Sequence, residues 1–245
     1  MDGLITPDPT NPDIRPGDKP DELRLFDHGF VRLDAAMASD LSVVNSARVS
    51  FAVRKEEMDQ RDEGLIKFLM RERHGTPFEH NSFRFHIRTP IFVAREWFRH
   101  RISSFNEESA RYHKLEGDFY LPSATAVRTQ VGKPGAYRFE PVEAMIAGET
   151  IDTLKRIYEL LYTEYLALIE KGVAKELARA ILPFGIYTQF YWTVNARSLM
   201  NFLSLRNADA AQYEIRTYAE AVERLFAAKM PITHRCFVEF GRSGP

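Results

Sequence analysis

A single cysteine, Cys236, serves a chain of 245 residues. No internal disulfide can form, and the usage suits a reducing compartment, so a cytoplasmic protein is expected. No run of about 18 apolar residues occurs, so no transmembrane helix and no membrane partner are expected. The N-terminus carries Asp, Pro and Asn where a secretory signal would be basic and then apolar, so no such signal is expected. An excess of one charge is also lacking: 33 Lys and Arg stand against 34 Asp and Glu. A dedicated nucleic-acid binder needs a broad basic footprint, so nucleic acid is not an expected partner. No G-x-G-x-x-G follows a strand and no Walker A sequence is present, which argues against Rossmann and P-loop folds. His74, His80 and His86 recur at a spacing that places no two on one helix face and does not match H-E-x-x-H, so no metal site is expected.

What is present is an ordinary globular composition, 44% hydrophobic and 27% charged, in a chain long enough to bury a core as one domain or at most two. Pro7, Pro9, Pro12, Pro16 and Pro20 among Asp, Asn and Lys predict a flexible arm over residues 1–26, leaving residues 27–245 as the domain. Within it the pattern predicts a strand at 29–34, a helix at 38–49, a second helix through Leu65, Ile66, Phe68, Leu69 and Met70 that ends near His74-Gly75, and a strand at 82–88, where Phe83, Phe85 and Ile87 alternate with polar residues. Pro90 then opens a helix through Phe98, since proline is favoured at a first helical position. Scattered Gly and Pro make 117–141 a long loop, of the kind that acts as a lid. Helices are expected at 146–170 and 173–182, and an aromatic and β-branched strand at 186–194. Asn195 is a good N-cap for the next helix, and 210–228 forms the last. No internal repeat is present. The fold expected is α+β: a single domain with a small, mostly antiparallel sheet flanked by long helices.

The densest chemistry lies in Arg99-His100-Arg101-Ile102-Ser103-Ser104-Phe105-Asn106-Glu107-Glu108-Ser109-Ala110-Arg111-Tyr112. A solvated surface would mix Lys and Glu, whereas here the cation is Arg, which favours planar, bidentate recognition of phosphate or carboxylate. If 105–112 is extended, a period of two puts Glu107, Ser109 and Arg111 on one face. That face offers an anion clamp, a hydroxyl and an acceptor, which suits a phosphorylated, hydrogen-bonding ring such as a nucleotide. A plainer account also exists, in which Arg99 and Arg101 close a helix against its dipole and Glu107 pairs with Arg111.

The pattern resembles the R-H-R-x2-S-x-N-E-x-S-x-R-Y signature of the flavin-dependent thymidylate synthases, the ThyX family, at every fixed position. Two more blocks resemble the same family: His74-Gly75-Thr76-Pro77-Phe78-Glu79-His80, and the stretch from Tyr187 to Arg206 that contains Trp192, Asn195, Arg197 and Asn201. By block order the likeness spans about residues 27–230. It implies reductive methylation of dUMP to dTMP, with N5,N10-methylenetetrahydrofolate as carbon donor and FAD, reduced by NADPH, as hydride carrier, in a homotetramer with sites at subunit interfaces. It implies dUMP contacts from Glu96, Trp97, Phe98, Arg99, Glu107, Glu108, Ser109, Ala110, Arg111, Arg179 and Arg206, with Arg206 catalytic. It implies FAD contacts from Thr76, Arg99, His100, Arg101, Glu107, Asn195, Ala196, Arg197 and Asn201, with His74 and Glu79 near the flavin.

Residue-level physics adds detail to those positions. Arg197 and Asn201 are four apart and share a helix face. Arg206 lies about 140° further round an ideal helix, so either the helix ends before it, or it serves a second ligand, or it serves a neighbouring subunit's site. Glu96 stands where the family often has Gln; an ionised carboxylate cannot donate to a pyrimidine, and pairing with His100 or a nearby arginine is the alternative. Ser109 lacks an assured base, and Cys236 lies outside every motif. The aromatics Trp97, Phe98, Phe190, Tyr191 and Trp192 are expected in the core rather than stacked on a flavin. Two other readings stay open: the same fold acting on another phosphorylated pyrimidine, and a non-catalytic nucleotide or RNA-binding module.

Overall fold

The alternation of Phe83, Phe85 and Ile87 with Arg84, His86 and Arg88 produces a strand with one buried face. In the computed structural model, which describes residues 11–133 and 137–245, the three apolar side chains are fully enclosed. The strands in chain order are β1 (Ile14–Pro16), β2 (Glu22–Leu25), β3 (Gly29–Met37), β4 (Ser82–Pro90), β5 (Ser104–Glu107), β6 (Arg128–Val131), β7 (Arg138–Pro141) and β8 (Tyr187–Asn195). The helices are α1 (Asp40–Arg48), α2 (Gln60–Arg71), α3 (Thr76–Glu79), α4 (Ile91–Trp97), α5 (Ala144–Glu170), α6 (Lys175–Ala178), α7 (Ala196–Arg206), α8 (Tyr213–Lys229) and α9 (Pro231–Glu239).

Six strands form one sheet in the order β1-β2-β3-β4-β8-β5, antiparallel at every pair, and β6 and β7 form a separate hairpin. Helices cover its apolar face, so the architecture is α+β. At the centre lies α8, which buries Ile215, Tyr218, Val222, Leu225 and Phe226. Tyr218 donates its buried hydroxyl to the Arg88 carbonyl at 2.8 Å, tying α8 to β4. Trp97 at the end of α4 stacks on Phe202 of α7 at 4.8 Å between ring centres and meets Trp192 of β8 edge-on at 5.3 Å. These aromatic contacts lock α4, α7 and β8 together. No helix among the described residues is long and apolar enough to cross a membrane.

Four expectations change. Residues 1–10 of the expected arm lie outside the described residues, but 11–25 are not a loose arm: they supply β1 and β2, with Ile14, Leu23 and Leu25 in the core. The prolines bound these strands rather than interrupt them, with Pro16 closing the outermost one, where a missing N–H is tolerated. The stretch 117–141 is not simply a loop, because it carries the β6/β7 hairpin. The 173–182 helix is one α-helical turn followed by a 3-10 turn at Arg179–Ile181. The helix at 210–228 starts at Tyr213 and is followed by α9, whose Pro231 stands at its first turn.

The N-terminus of α9 is capped from another helix. The Asp40 carboxylate accepts from the Ile232 and Thr233 amides at 2.9 Å each and from the Thr233 hydroxyl at 2.6 Å. The two Thr233 bonds are buried and the Ile232 bond is partly buried, so removing the acceptor strands donors away from water. Asp40→Ala is expected to destabilise the fold by on the order of 2–3 kcal/mol, and Asp40→Asn by less. Urea unfolding with an unchanged slope measures this, and a shift in Asp40→Ala within about 0.5 kcal/mol would show that the cap contributes nothing net.

Candidate active site

Asn195 ends β8 and begins α7: its side-chain oxygen accepts from the Ser198 amide at 2.8 Å, as an N-cap should. From that start Leu199, Met200, Phe202 and Leu203 turn into the core while Arg197 and Asn201 face outward. They form one wall of an open cleft of about 840 Å³. The opposite wall is the loop after α4, with Arg99, His100, Arg101 and Ser103, and Trp192 and Val194 line it from the sheet. Glu79 of α3 and the tail segment 242–245 complete the rim.

Arg197 is held at three points. One Nη donates to Glu79 at 2.5 Å, and Nε donates to the Pro245 carbonyl at 3.0 Å. Its guanidinium also lies against Gly75, where a β-carbon would come within 2.5 Å of Nε; glycine there leaves the guanidinium its place. Arg99 and Arg101 are exposed and pair with no carboxylate among the described residues. The donor set is therefore five arginines (Arg99, Arg101, Arg197, Arg206 and Arg242), an amide, hydroxyls and a histidine around a volume typical of small-molecule sites. It fits a phosphate-bearing, hydrogen-bonding cofactor.

A second cleft of about 720 Å³ adjoins the first and is lined by Phe92, Arg95, Glu96, Phe98, Arg99, Phe184 and Arg206. Arg99 and Arg206 belong to both clefts. Arg206 is the last residue of α7, so the helix does not end before it. Its Nε donates to His100 Nε2 at 3.0 Å, one Nη to the Glu96 carboxylate at 3.1 Å, and the other to the Glu96 carbonyl at 3.3 Å. A guanidinium only donates, so His100 accepts through Nε2 and carries its proton on Nδ1. Burial, reinforced by Arg206, pushes the His100 pKa down to about 4, which keeps it neutral. Burial raises the Glu96 carboxyl, against the pull of Arg206 and with a further push from Glu214.

The rest of the arginine-rich motif goes elsewhere. The strand ends at Glu107, and Ser109 to Tyr112 form a turn in which the Tyr112 amide donates to the Ser109 carbonyl at 3.0 Å. The expected extended face of Glu107, Ser109 and Arg111 is therefore not formed. The reason is local competition: the Ser109 hydroxyl accepts from the Arg111 amide at 3.3 Å, and Arg111 reaches Glu176 of α6 at 3.1 Å. Glu107 accepts from the Thr188 hydroxyl at 2.7 Å and Glu108 from Gln189 at 3.1 and 3.2 Å. Burial is the main cause of a raised Glu107 carboxyl. This second cluster, with Arg179 in the next turn, flanks β5, the outermost strand of the sheet on that side.

The expected cofactor set is thus only partly brought together. Arg99, His100, Arg101, Arg197 and Asn201 share the first cleft, while Thr76, Glu107, Asn195 and Ala196 do not line it. Ala196 is buried and Asn195 is occupied as the cap. Of the expected substrate set, Glu96, Phe98, Arg99 and Arg206 line the second cleft. Trp97 is buried in the core, and Glu107, Glu108, Ser109, Ala110, Arg111 and Arg179 line neither cleft. Phe190 and Trp192 are also enclosed, whereas Tyr191 is exposed. The sequence reading missed Arg95 and Phe184, which the structure pairs with Arg95 above the Phe184 ring at 5.3 Å, and it missed the tail. A phenylalanine set between Pro183 and Gly185, in a turn, is the signal the sequence offers for Phe184.

The model of the family described as thymidylate synthase complementing protein matches residues 32–232. A flavin-dependent thymidylate synthase from Thermosipho melanesiensis is 46% identical over 223 residues, covering 91% of this chain and 96% of the relative. One from Tropheryma whipplei is 46% identical over 226 residues, covering 88% and 94%. Among solved structures, the UMP/dUMP methylase PolB from Streptomyces cacaoi, bound with 5-Br dUMP, is 44% identical with a TM-score of 0.83, covering 90% of this chain and 99% of that one. The same enzyme bound with 5-Br UMP gives a TM-score of 0.82 over 89% of this chain. Likeness of this extent, along nearly the whole of each relative, shows that the chain belongs to the thymidylate synthase complementing protein family, the family of the flavin-dependent thymidylate synthases.

Proposed function

We propose that this chain is a cytoplasmic enzyme that methylates dUMP to dTMP, with N5,N10-methylenetetrahydrofolate as carbon donor and FAD, reduced by NADPH, as hydride carrier. The observation that carries the reading is the pair of adjoining clefts with Arg99 and Arg206 in common. A reaction that passes hydride from a cofactor to a substrate needs the two held side by side. Arg99, Arg101, Arg197 and Asn201 are the residues that would hold the flavin nucleotide; when bound and reduced, it supplies the hydride that completes the methyl group.

The substrate's own difficulty explains the second cleft. Uracil C5 is a weak nucleophile, and it reacts when negative charge on N3 and O4 is stabilised by fixed donors. Arg206 offers such donors, and Phe92, Phe98 and Phe184 give the cleft apolar walls on which a ring can rest. Activation by a thiolate is a different route, and Cys236 is unsuited to it. That thiol is buried in α9, lines neither cleft, and is pushed up in pKa chiefly by burial.

The split of the substrate motif supports a homotetramer with shared sites. Glu107 to Arg111 and Arg179 cluster at the end of β5, the edge strand of the sheet, and line neither cleft. A second copy docked there would bring both halves to one nucleotide. The apolar surface of α5 points the same way: only Ala147 and Tyr165 of its 27 residues are buried, while Met145, Ile146 and Leu160 are exposed. A narrower alternative concerns the sugar, because the S. cacaoi neighbour is named as a UMP/dUMP methylase. On that reading this chain also accepts UMP.

Arg206→Lys is expected to keep FAD but to lose about a hundredfold in turnover, since an ammonium cannot reproduce the planar donors. Turnover near wild type would remove Arg206 from the chemistry. Shared sites predict complementation: Arg206→Ala and Arg111→Ala, each inactive alone, should regain activity when unfolded and refolded as a mixture. A mixture no more active than its parts would place each site within one subunit. The sugar reading is decided by competition, with dUMP and UMP supplied together and both methylated products quantified. Formation of dTMP alone would end the ribonucleotide alternative.

A further inference from the structure

A guanidinium has five N–H donors, and Arg206 spends three of them inside the protein, one on His100 and two on Glu96. Those three bonds leave one N–H free on each terminal nitrogen. Both partners come from α4 and the loop that follows it, so the plane of the guanidinium is fixed by the same segment that carries Arg99. We infer that Glu96 is a positioning residue that fixes the Arg206 fork, with neutral His100 completing the clamp, and that it acts on the substrate through Arg206. This rests on the proposal that Arg206 faces the pyrimidine. It assigns Glu96 a role other than touching the ring, which suits an ionised carboxylate that has no proton to donate.

The surroundings determine when the clamp is closed. Glu96 faces Arg206 of α7 and Glu214 of α8, shares α4 with Arg95, and precedes Arg99 and His100 in the next loop. Phe92, Phe98 and Phe184 line the cleft with it. Its carboxyl titrates above the ordinary glutamate range, from burial first and Glu214 last, with Arg206 opposing both. Protonation makes Glu96 neutral and weakens the charge-assisted bond to Arg206. The fork is then held by His100 and a carbonyl alone, so turnover should fall on the acid side.

The test is kcat and the dUMP dissociation constant against pH for wild type, Glu96→Gln and Glu96→Ala, each loaded with FAD. Expected are a several-fold loss of kcat at neutral pH in Glu96→Gln with the acid limb removed, and about a hundredfold loss in Glu96→Ala, with dUMP affinity little changed. Because Glu96 acts through Arg206, Glu96→Gln should add almost nothing in an Arg206→Lys background. A loss confined to dUMP affinity, an acid limb that persists in Glu96→Gln, or fully additive losses would overturn the positioning role. Wild type that makes no dTMP would instead sink the functional reading. In that case carboxyl-carbon NMR still judges the clamp: the Glu96 titration should move up in Arg206→Gln, and an unmoved titration would refute the pairing.

Discussion

Antiparallel pairing of β4 with β8, in a register running from Ser82 opposite Asn195 to Pro90 opposite Tyr187, sets the positions of nearly every residue in the two clefts. The helix α4 leaves one end of this pair at Ile91, and α7 leaves the other end at Ala196. Both cross the covered face of the sheet and meet where Trp97 stacks on Phe202. Glu96, Arg99 and His100 on one side, and Arg206 on the other, are within reach only because both helices start where they do. A slip of one residue would turn Phe85 and Trp192 outward. Their buried stacking at 5.6 Å makes such a slip prohibitive.

On that frame the site separates cations by task. Arg206 is tied inside the protein, and Arg197 is braced by Glu79. Arg99 and Arg101, exposed on the loop between α4 and β5, remain to meet solvent or a ligand. A lysine at any of these places would be a single mobile charge, whereas each arginine presents a plane whose orientation neighbours can set. Neutral His100 matters to this arrangement. Were it charged, it could no longer accept from Arg206, and two cations would face each other in a half-buried corner.

Much of this was legible in the sequence because the relevant signals are local. The period-two run before Pro90 gave β4, the aromatic run gave β8, and Asn195 marked the start of α7, each supported by short-range rules that the packing obeys. The motif from Arg99 to Tyr112 was legible as chemistry but not as shape. A period of two continued past Glu107 is cut off by the Ser109 turn, and a turn closed by the carbonyl and hydroxyl of one serine leaves little trace in a pattern. The strands β1 and β2 were hidden by prolines, since composition rules weigh a segment's average and not the few apolar side chains that reach the core. Nor does Arg206 reveal its partners from the sequence: Glu96 is 110 residues away, and only the meeting of two helices brings it near.

The tail has a consequence for any ligand of the first cleft. Its carbonyl at Pro245 accepts from Arg197, and it is moored by Arg242, which pairs with Glu223 and whose carbonyl receives the Ser204 hydroxyl. An incoming anion therefore meets an acceptor already bound to the chain, present at a high effective concentration that dilution cannot lower. Affinity measured at Arg197 is the outcome of that intramolecular competition, so Glu223 of α8, which lines neither cleft, helps set how tightly the first cleft binds.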